Sequence, residues 1–437
     1  MIIALLPIET ILPRGLSAGV PIFTSPISLL GGVVFVGALL NAISTGRLHV
    51  EWIFSNAVQM IGVLFIAWFT LTHPNESWSG SDRNYVFTFI QLWSLLWLAG
   101  TMLTEERHQR QLLIWFSLAC VLSAYVTISG VQVSATREEG MRSAGMMSGL
   151  NTAARYYAIG FVSLIYIRTL ADDTRVRWLA AGGAAFLLVS VAFVQSRAGI
   201  GLALFSIILL LALGPKVQRK KFLTYLIGSI LLVILFLPSS LWESISASFF
   251  TGETQPRQRY QSIDENIRYQ LWYAGLEMWR DNPIGGIGIG QFPNQLNAYL
   301  PGLLPGKFVG LASHNMFVRV LAETGIVGFA LFVSMISGAL RNLRRARSPD
   351  KDGRFQIPDV WFIVLFIVVA GGLLKDDHAD KMFWLFLGIA SSFGATLRSQ
   401  VVQALKPAFL MTSSKAHAGT TPSSPDETNQ GNTTSSR

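Results

Sequence analysis

The residues best suited to chemistry lie in one polar stretch within an otherwise apolar region. His314 and Asn315 open it, and Arg319 and Glu323 follow, four residues apart from each other. A neutral imidazole can accept a proton from an attacking hydroxyl, and the dipole at a helix N-terminus keeps an imidazole neutral. Arg319 and Glu323 share one helix face and should shape the site rather than react. The alternative is an interfacial histidine that only hydrogen-bonds to a neighbour.

A glycine-rich turn precedes this stretch and runs from Asn282 to Phe292, with Gly286 and Gly288 inside it. Glycines allow a tight backbone bend beside packed helices, which is the structural interpretation. Bare backbone N–H groups can also bind an anionic or sugar group, which is the functional interpretation. The turn lacks the GKS/T sequence of a phosphate-binding loop and follows no predicted strand, so by itself it is weak evidence for a ligand.

Three arginines stand in segments that should reach the same side of the protein. Arg142 and Arg197 lie in short loops between apolar segments, and Arg268 lies in a longer loop, one helical turn before Trp272. Guanidinium groups bind phosphate and pyrophosphate through paired hydrogen bonds, so their convergence with the histidine indicates an anionic substrate. Any single arginine could instead extend its charge to lipid headgroups. Asn151 follows in the loop of Arg142 and is a further candidate.

A second polar cluster occupies a short loop on the same side. It reads Lys375-Asp376-Asp377-His378-Ala379-Asp380. Taken alone, the cluster resembles a metal site made of carboxylates and an imidazole. Adjacent acids in a short loop are more often simply solvated, and that is the interpretation we favour.

The elements that must position these residues are apolar helices. The chain has 437 residues, of which 51% are hydrophobic and 14% charged, with a mean hydropathy of +0.45. Soluble domains carry about a quarter charged residues, so the composition predicts an integral membrane protein. The net charge of +9 does not indicate nucleic-acid binding, because the basic residues sit in short loops between apolar segments. The single cysteine excludes an intramolecular disulfide.

Segments of about 20 apolar residues can cross a bilayer as helices. The predicted spans are 27–43, 52–71, 85–103, 112–130, 153–170, 178–195, 199–213, 222–237, 316–339, 358–374 and 382–397, with 1–13 as a weaker candidate. This pattern predicts an all-α polytopic membrane protein with about 12 transmembrane helices.

The loops predict sidedness and domain organisation. Basic residues concentrate in one set of alternate loops, above all at 216–221 and 341–354, which should be cytoplasmic. The long stretch 238–315 should then face outward. We divide the chain into a transmembrane domain, 1–411, which includes this loop, and a tail, 412–437. The tail is rich in Ser, Thr and Pro and is expected to be disordered and cytoplasmic.

The long outer loop should contain a helix of its own. Ser262 to Glu265 form a capping-box pattern, and apolar residues then recur at helical spacing. The helix should stop before Asn282-Pro283, because the residue before a proline avoids the α region. Its apolar face should lie on the membrane surface or on the transmembrane bundle.

Together these pieces resemble the O-antigen ligase family, which shares a core with O-antigen and exopolysaccharide polymerases. The matching pieces run in the family's order over residues 137–340. They are Arg142 with Gly145 and Asn151; Ser196 to Gly199; Arg268 with Trp272; Asn282-Pro283 with Gly286, Gly288, Gly290 and Phe292; and His314-Asn315 with Glu323, Gly325 and Gly328. The combination of the last two pieces is fairly specific, whereas the arginines alone are not.

The resemblance implies a GT-C-like membrane glycosyltransferase at the periplasmic face of a bacterial inner membrane. The donor would be a glycan on undecaprenyl pyrophosphate, and a ligase would transfer it to a sugar hydroxyl of lipid A–core. The resemblance implies no metal or other cofactor, and one-step displacement would invert the anomeric centre. His314 would be the general base, with Arg197 and Arg268 on the pyrophosphate. The other candidate substrate-binding residues are Arg142, Asn151, Trp272, Gly286, Gly288, Asn315, Arg319 and Glu323.

Three other functions remain open at this stage, of which a protein O-oligosaccharyltransferase is the least favoured, because such enzymes are expected to be longer. A polymerase of the same family would transfer the glycan to a second lipid-linked repeat, and the shared motifs do not separate it from a ligase. A transporter or flippase for lipid-linked sugars is the alternative outside the enzymes. Transporters usually place charges at the midplane between related repeats, whereas this chain shows no repeat and concentrates its polar residues at one face. The expected partners are lipid-linked sugars and membrane lipids, with no nucleic acid.

Overall fold

The computed structural model describes residues 56–73, 80–129, 149–194, 196–214, 259–300, 311–347 and 355–394, together with a few isolated residues between them. Every regular element in this part of the chain is a helix, which confirms the all-α prediction. The helices, in chain order, are α1 Ala57–Leu71, α2 Gly80–Met102, α3 Glu106–Ser129, α4 Leu150–Leu170, α5 Thr174–Val194, α6 Arg197–Leu213, α7 Arg259–Asp281, α8 Phe292–Tyr299, α9 Met316–Ala346, α10 Ile357–Gly372 and α11 Lys381–Gly394.

Four of these helices are long and apolar enough to cross a membrane: Arg83–Met102 within α2, α3, α5 and α9. Four shorter apolar helices, in α1, α6, α10 and α11, coincide with further predicted spans. The helical membrane class is therefore supported, whereas the number of about 12 spans and the GT-C-like arrangement stay predictions. Most of the predicted spans 27–43 and 222–237, all of 1–13 and the whole tail lie outside the described residues.

Helix α4 lies at the centre of the bundle. All of its residues from Thr152 to Tyr166 are buried, because α3, α5, α6 and α10 pack around it. The predicted span 153–170 is thus a helix, but one enclosed by protein. Such a helix should be apolar on every side, yet Arg155 is only 2% exposed and points into this packing.

Helix α7 is the helix predicted in the outer loop, and it ends at Asp281, directly before Asn282-Pro283, as expected. It begins at Arg259 rather than at the capping box, so the predicted start at Ser262 is wrong and that residue lies inside the helix. One face carries Leu271, a fully buried side chain. Ala274 and Met278 share that face, which packs in a small second core with residues of the glycine-rich turn, α8 and α9: Ile287, Phe292, Leu296 and Ala322. The apolar face of α7 therefore lies on the bundle.

The contacts between helix ends define two ends of the bundle. At one end, which we call the His314 end, the starts of α4, α6 and α9 meet the loop between α10 and α11. At the other, which we call the Arg347 end, Arg347 after α9 contacts Asp359 at the start of α10 and the Leu213 carbonyl at the end of α6. Helix α9 has 31 residues and spans about 45 Å between them. The side of a membrane that each end faces stays a prediction.

Candidate functional site

His314 sits in a sharp turn directly before α9. Its φ angle is 54°, which makes it the one non-glycine residue with positive φ in the described part of the chain. Histidine in this left-handed region costs on the order of 1–3 kcal/mol and persists only where the surroundings enforce it. The side chain is partly exposed. A strained, accessible imidazole at a helix start suits a group held for chemistry.

The Asp376 carboxylate holds the backbone around His314 in this conformation. One oxygen accepts hydrogen bonds from the Ser313 backbone N–H, at 2.9 Å, and from Arg319, at 3.0 Å. The other accepts from the Ser313 hydroxyl and from the Asn315 backbone N–H, at 3.0 Å. The residues on both sides of His314 are thus tied to one carboxylate. The acids of its loop, Lys375–Asp380, are largely buried rather than solvated, so our favoured interpretation of that loop is wrong.

Asn315 is the N-cap of α9. Its side-chain oxygen accepts from the backbone N–H groups of Phe317 and Val318, at 3.0 and 3.3 Å, and so satisfies two donors that a helix start leaves unpaired. Asn315 is only 8% exposed. In this geometry the side chain fixes the start of the helix that follows His314.

Arg319 joins three elements beneath the histidine. It contacts Glu323 at 3.0 Å, which confirms the predicted pairing along α9, and it donates to the Tyr85 hydroxyl of α2 at 2.8 Å. The third partner is Asp376. Arg319 and Glu323 are almost fully buried, so they support the site from behind rather than line its surface.

Helix α9 breaks at Gly325, and the glycine-rich turn fills the break. Gly325 has φ 65° and ψ −170°, a conformation essentially restricted to glycine. The break leaves backbone groups without helical partners. The turn supplies most of them: the N–H groups of Ile287 and Gly288 donate to the carbonyls of Ala322 and Glu323, and the Ile326 N–H donates to the Pro283 carbonyl. The Thr324 carbonyl accepts instead from the Trp68 indole of α1.

Gly286 and Gly288 are therefore engaged with the protein itself. The Gly286 N–H donates to the Asn282 carbonyl, and a Cβ at Gly286 would collide with the Glu323 carbonyl group. The Phe292 N–H after the turn donates to the Glu323 carboxylate at 3.2 Å. The structural interpretation of the turn, a tight bend beside packed helices, describes this geometry.

Trp272 and Arg268 approach the site from α7. The Trp272 indole donates to the Ser313 carbonyl at 3.1 Å, which ties α7 to the residue before His314. Arg268 lies one turn earlier on the same helix and is partly buried. Among the described residues, no acid pairs with Arg268. Arg268 therefore lies on the helix that Trp272 ties to the turn of His314.

Asn151 and Arg197 lie together at the starts of α4 and α6. The Ser196 hydroxyl, which caps α6 by accepting from the Gly199 N–H, is 2.5 Å from the Asn151 side-chain oxygen. Arg197 is the first residue of α6 and directly follows this cap. The segments of Asn151 and Arg197 are therefore adjacent, whereas the convergence of the arginine side chains stays a prediction. Arg142 lies outside the described residues.

Sequence reasoning missed Arg155, the residue that ties α4 to the loop of Asp376. Its guanidinium pairs with Asp377 and, at 3.0 Å, with Asp380. Lys375 adds a hydrogen bond of 2.7 Å to the Thr152 hydroxyl near the start of α4. A charged residue inside an apolar helix is a functional signal in itself, and that signal was present in the sequence.

Two groups in the buried loop of Asp376, the Asp376 carboxyl and the His378 imidazole, have shifted pKa values. Burial alone would raise the pKa of the Asp376 carboxyl, but Arg319 and the hydrogen bond from the Ser313 hydroxyl lower it below its ordinary value. Burial, with a contribution from Arg319, lowers the pKa of His378 to about 3, so this imidazole is neutral. Neither of its ring nitrogens has a hydrogen-bond partner among the described residues. Asp376 therefore presents a stable negative charge behind the turn of His314.

The acids of this loop are occupied by the protein's own cations and donors. Asp376 faces Arg319, and Asp377 and Asp380 both face Arg155. In the part of the chain that the structure describes, no group of three or more His, Cys, Asp or Glu side chains is arranged to hold a metal ion. The pairing with arginines accounts for the carboxylates that had suggested a metal.

Fold and site together define a helical bundle of membrane character with a polar, strained site at one end. A sequence model described as O-antigen ligase matches residues 182–333 of this chain. The match confirms the resemblance to the O-antigen ligase family over the segment that contains Arg197, Arg268, the glycine-rich turn and His314. Arg155 and the loop of Asp376 lie outside the matched segment.

A curated relative is similar over a longer part of the chain. It is the exopolysaccharide production protein ExoQ of Rhizobium meliloti (strain 1021), 20% identical over 262 residues. The similarity covers 55% of this chain and 57% of ExoQ. The chain thus spans little more than half the length of this relative.

Proposed function

We propose that the protein is a membrane glycosyltransferase that acts as an O-antigen ligase. It transfers a glycan from undecaprenyl pyrophosphate to a sugar hydroxyl of lipid A–core, at the periplasmic face of a bacterial inner membrane. The observation that carries the proposal is the strained turn of His314 at the start of α9, inside a segment similar to O-antigen ligases.

The proposed reaction is a single displacement. The acceptor hydroxyl oxygen forms a bond to the anomeric carbon, its proton passes to the His314 imidazole, and the bond from that carbon to the pyrophosphate oxygen breaks. The electron pair of the broken bond stays on the pyrophosphate. Inversion of the anomeric centre follows from the single step.

Cations close to the departing group lower the barrier, because negative charge develops there in the transition state. Arg197 and Arg268 are proposed for this role. The start of α6, where Arg197 stands, also carries the positive end of a helix dipole, which favours a bound anion. Asn151 lies beside this helix start and is proposed to help orient the donor.

The decisive experiment measures transfer by purified protein in detergent, with lipid-linked donor and lipid A–core. Loss of a positioned base typically costs roughly 10²–10⁴-fold, so His314→Ala should remain folded and transfer little. His108→Ala is the matched control and should keep its rate, because His108 is half exposed and its neighbour Gln109 contacts Trp361 of α10 near the Arg347 end. Normal transfer by His314→Ala would contradict the assignment. A protein that makes no product without a sealed membrane would support the transporter alternative.

Two further variants of the assay test the proposed chemistry of the donor site. Arg197→Lys should lower the rate, because lysine cannot reproduce the paired hydrogen bonds of a guanidinium. A chelator should leave the rate unchanged. Activity that is lost in EDTA and restored by a divalent cation would show that the reaction depends on a metal.

A polymerase is the second candidate, and the similarity to an exopolysaccharide production protein favours it. In this reaction the acceptor is another lipid-linked repeat rather than lipid A–core. The lipopolysaccharide of a deletion strain separates the two. Bare core with accumulated lipid-linked polymer indicates a ligase, whereas core that carries a single repeat indicates a polymerase.

A further inference from the structure

The residue that best explains the conformation of His314 is Asp376, which lies on another part of the chain. Its carboxylate accepts from the N–H groups of Ser313 and Asn315, on either side of the histidine. Two N–H groups that belong to residues i and i+2 can point at one carboxylate only if the chain between them turns sharply. The left-handed φ of His314 is the form that this turn takes.

The carboxylate is itself held from behind. Arg319 contacts it at 3.0 Å, and Asp376 is followed directly by Asp377, which pairs with the buried Arg155 of α4. The Asp376 side chain is only 8% exposed and its pKa is lowered, so its charge is kept in place at neutral pH. These hydrogen bonds reach the backbone on both sides of His314, so Asp376 acts on the histidine through the chain that carries it.

We propose that Asp376 is a positioning residue for the reaction: it fixes the turn that aims the His314 imidazole at the acceptor hydroxyl. The proposal rests on the proposed function, in which His314 is the base. Asp376 neither takes the proton nor contacts the donor. Removing its charge should misplace the base and leave donor binding intact.

The first test compares Asp376→Asn with Asp359→Asn in the detergent transfer assay. The Asp376→Asn change places an amide nitrogen, itself a donor, opposite donors that a carboxylate oxygen had accepted, so the turn should loosen. At metal sites, carboxylates that orient a histidine ligand contribute roughly 10–100-fold, and we expect kcat to fall by a similar factor here, with the donor KM unchanged. Asp359 also pairs with an arginine, but at the Arg347 end, and Asp359→Asn should keep the wild-type kcat.

The second test asks whether Asp376 acts through His314. In a His314→Ala protein there is no base left to aim, so adding Asp376→Asn should leave the residual rate unchanged. A rate that falls by the same factor in both backgrounds would overturn the proposal, because it would show that Asp376 acts independently of the histidine. A fall in donor affinity with unchanged kcat would overturn it as well.

Ser313→Ala provides the test if Asp376→Asn does not fold. It removes only the hydroxyl that donates to Asp376, and it should lower kcat by a smaller factor that again disappears in the His314→Ala background. A Ser313→Ala protein with wild-type kcat would then overturn the proposal. The proposed function and the positioning role can fail separately. An active His314→Ala protein would contradict the role of His314 as the base. An inactive His314→Ala protein together with a fully active Asp376→Asn protein would contradict only the positioning role of Asp376.

Discussion

The two ends of α9 differ in how deeply their charged side chains are buried. At the Arg347 end, Arg347 pairs with Asp359, and their side chains are 24% and 13% exposed. Arg344 and Arg345 lie in the last helical turn, where positive charges interact favourably with the helix dipole. At the His314 end, Arg319 and Glu323 are buried, and the helix is broken two residues later.

The difference shows that the features that destabilise the fold are concentrated at the His314 end. Ordinary caps and partly exposed ion pairs suffice to end α9 and to begin α10. At the His314 end, two buried arginines and their largely buried carboxylate partners lie close to a left-handed histidine and a helix break, and each of these is costly unless its neighbours compensate. Strain and buried charge concentrated at one end are typical of a functional site.

The strongest test of this comparison removes one arginine from each end. Arg155→Met removes a 2% exposed arginine from the buried Asp377, which keeps only Lys375 at 3.4 Å, and from Asp380, and breaking a buried pair in this way costs about 3–5 kcal/mol. Arg347→Met removes a partly exposed pair and should cost about 1 kcal/mol or less. Thermal unfolding in detergent, followed by tryptophan fluorescence, measures both.

A triple variant sharpens this prediction. When Asp377 and Asp380 are changed to asparagine together with Arg155→Met, the one charge that loses its partner is Lys375, which is 35% exposed, so much of the stability should return. Equal losses for Arg155→Met and Arg347→Met would show that the two ends do not differ in this respect.

The second prediction concerns the break in α9. Gly325→Ala should cost about 3 kcal/mol, because alanine is strained at this conformation and its Cβ would collide with the Ile284 carbonyl oxygen. Gly201→Ala in α6 is the control: no atom lies within 4 Å of its Cβ, and alanine favours a helix by up to about 1 kcal/mol. A melting temperature for Gly325→Ala at or above that of Gly201→Ala would contradict the close packing of Gly325 against Ile284.

Local patterns in the sequence were enough to predict much of this arrangement. Helical spacing indicated the pair of Arg319 and Glu323, a proline marked the end of α7, and apolar stretches marked most of the described helices. Each of these features depends on residues only a few positions apart. The position of His314 before a helix could be read in the same way.

The supporting charges could not be found so easily, because their partners are far apart in the chain. Arg155 and Asp377 are separated by 222 residues, and no local pattern links them. The loop of Asp376 has the composition of a solvated turn, and only the packing of α4 and α9 around it makes it buried. The break at Gly325 likewise requires the turn that fills it, which depends on tertiary contacts.

The third prediction uses acid to weaken the His314 end. His378 has a pKa of about 3 in the folded protein, below the ordinary value of 6.5, so the unfolded chain binds a proton first as the pH falls. Stability should therefore decline below about pH 6.5, by about 2 kcal/mol between pH 7 and pH 5. His378→Leu should remove this dependence, whereas His108→Leu at the Arg347 end should keep it. Unfolding temperatures at the two pH values give the result, and an unaltered slope in His378→Leu would refute the prediction.

The fourth prediction compares the loss of two helix N-caps, which should have a small effect on stability. Asn315 and Asn56 are both N-caps whose side chains accept backbone N–H bonds, Asn315 at the start of α9 and Asn56 at the start of α1. Replacing such a cap with alanine typically costs about 1 kcal/mol. Asn56 also donates to the Ser391 carbonyl, so Asn56→Ala should cost at least as much as Asn315→Ala.

Activity should separate the same two variants in the opposite order. Asn315→Ala loosens the helix start that follows His314, so it should lower transfer although it unfolds the protein no more than Asn56→Ala does. Rates and unfolding temperatures measured on the same preparations decide the matter. If both rates fall in proportion to the lost stability, the transfer rate depends on the stability of the whole protein. If only Asn315→Ala loses rate, the transfer rate depends on the geometry of the start of α9.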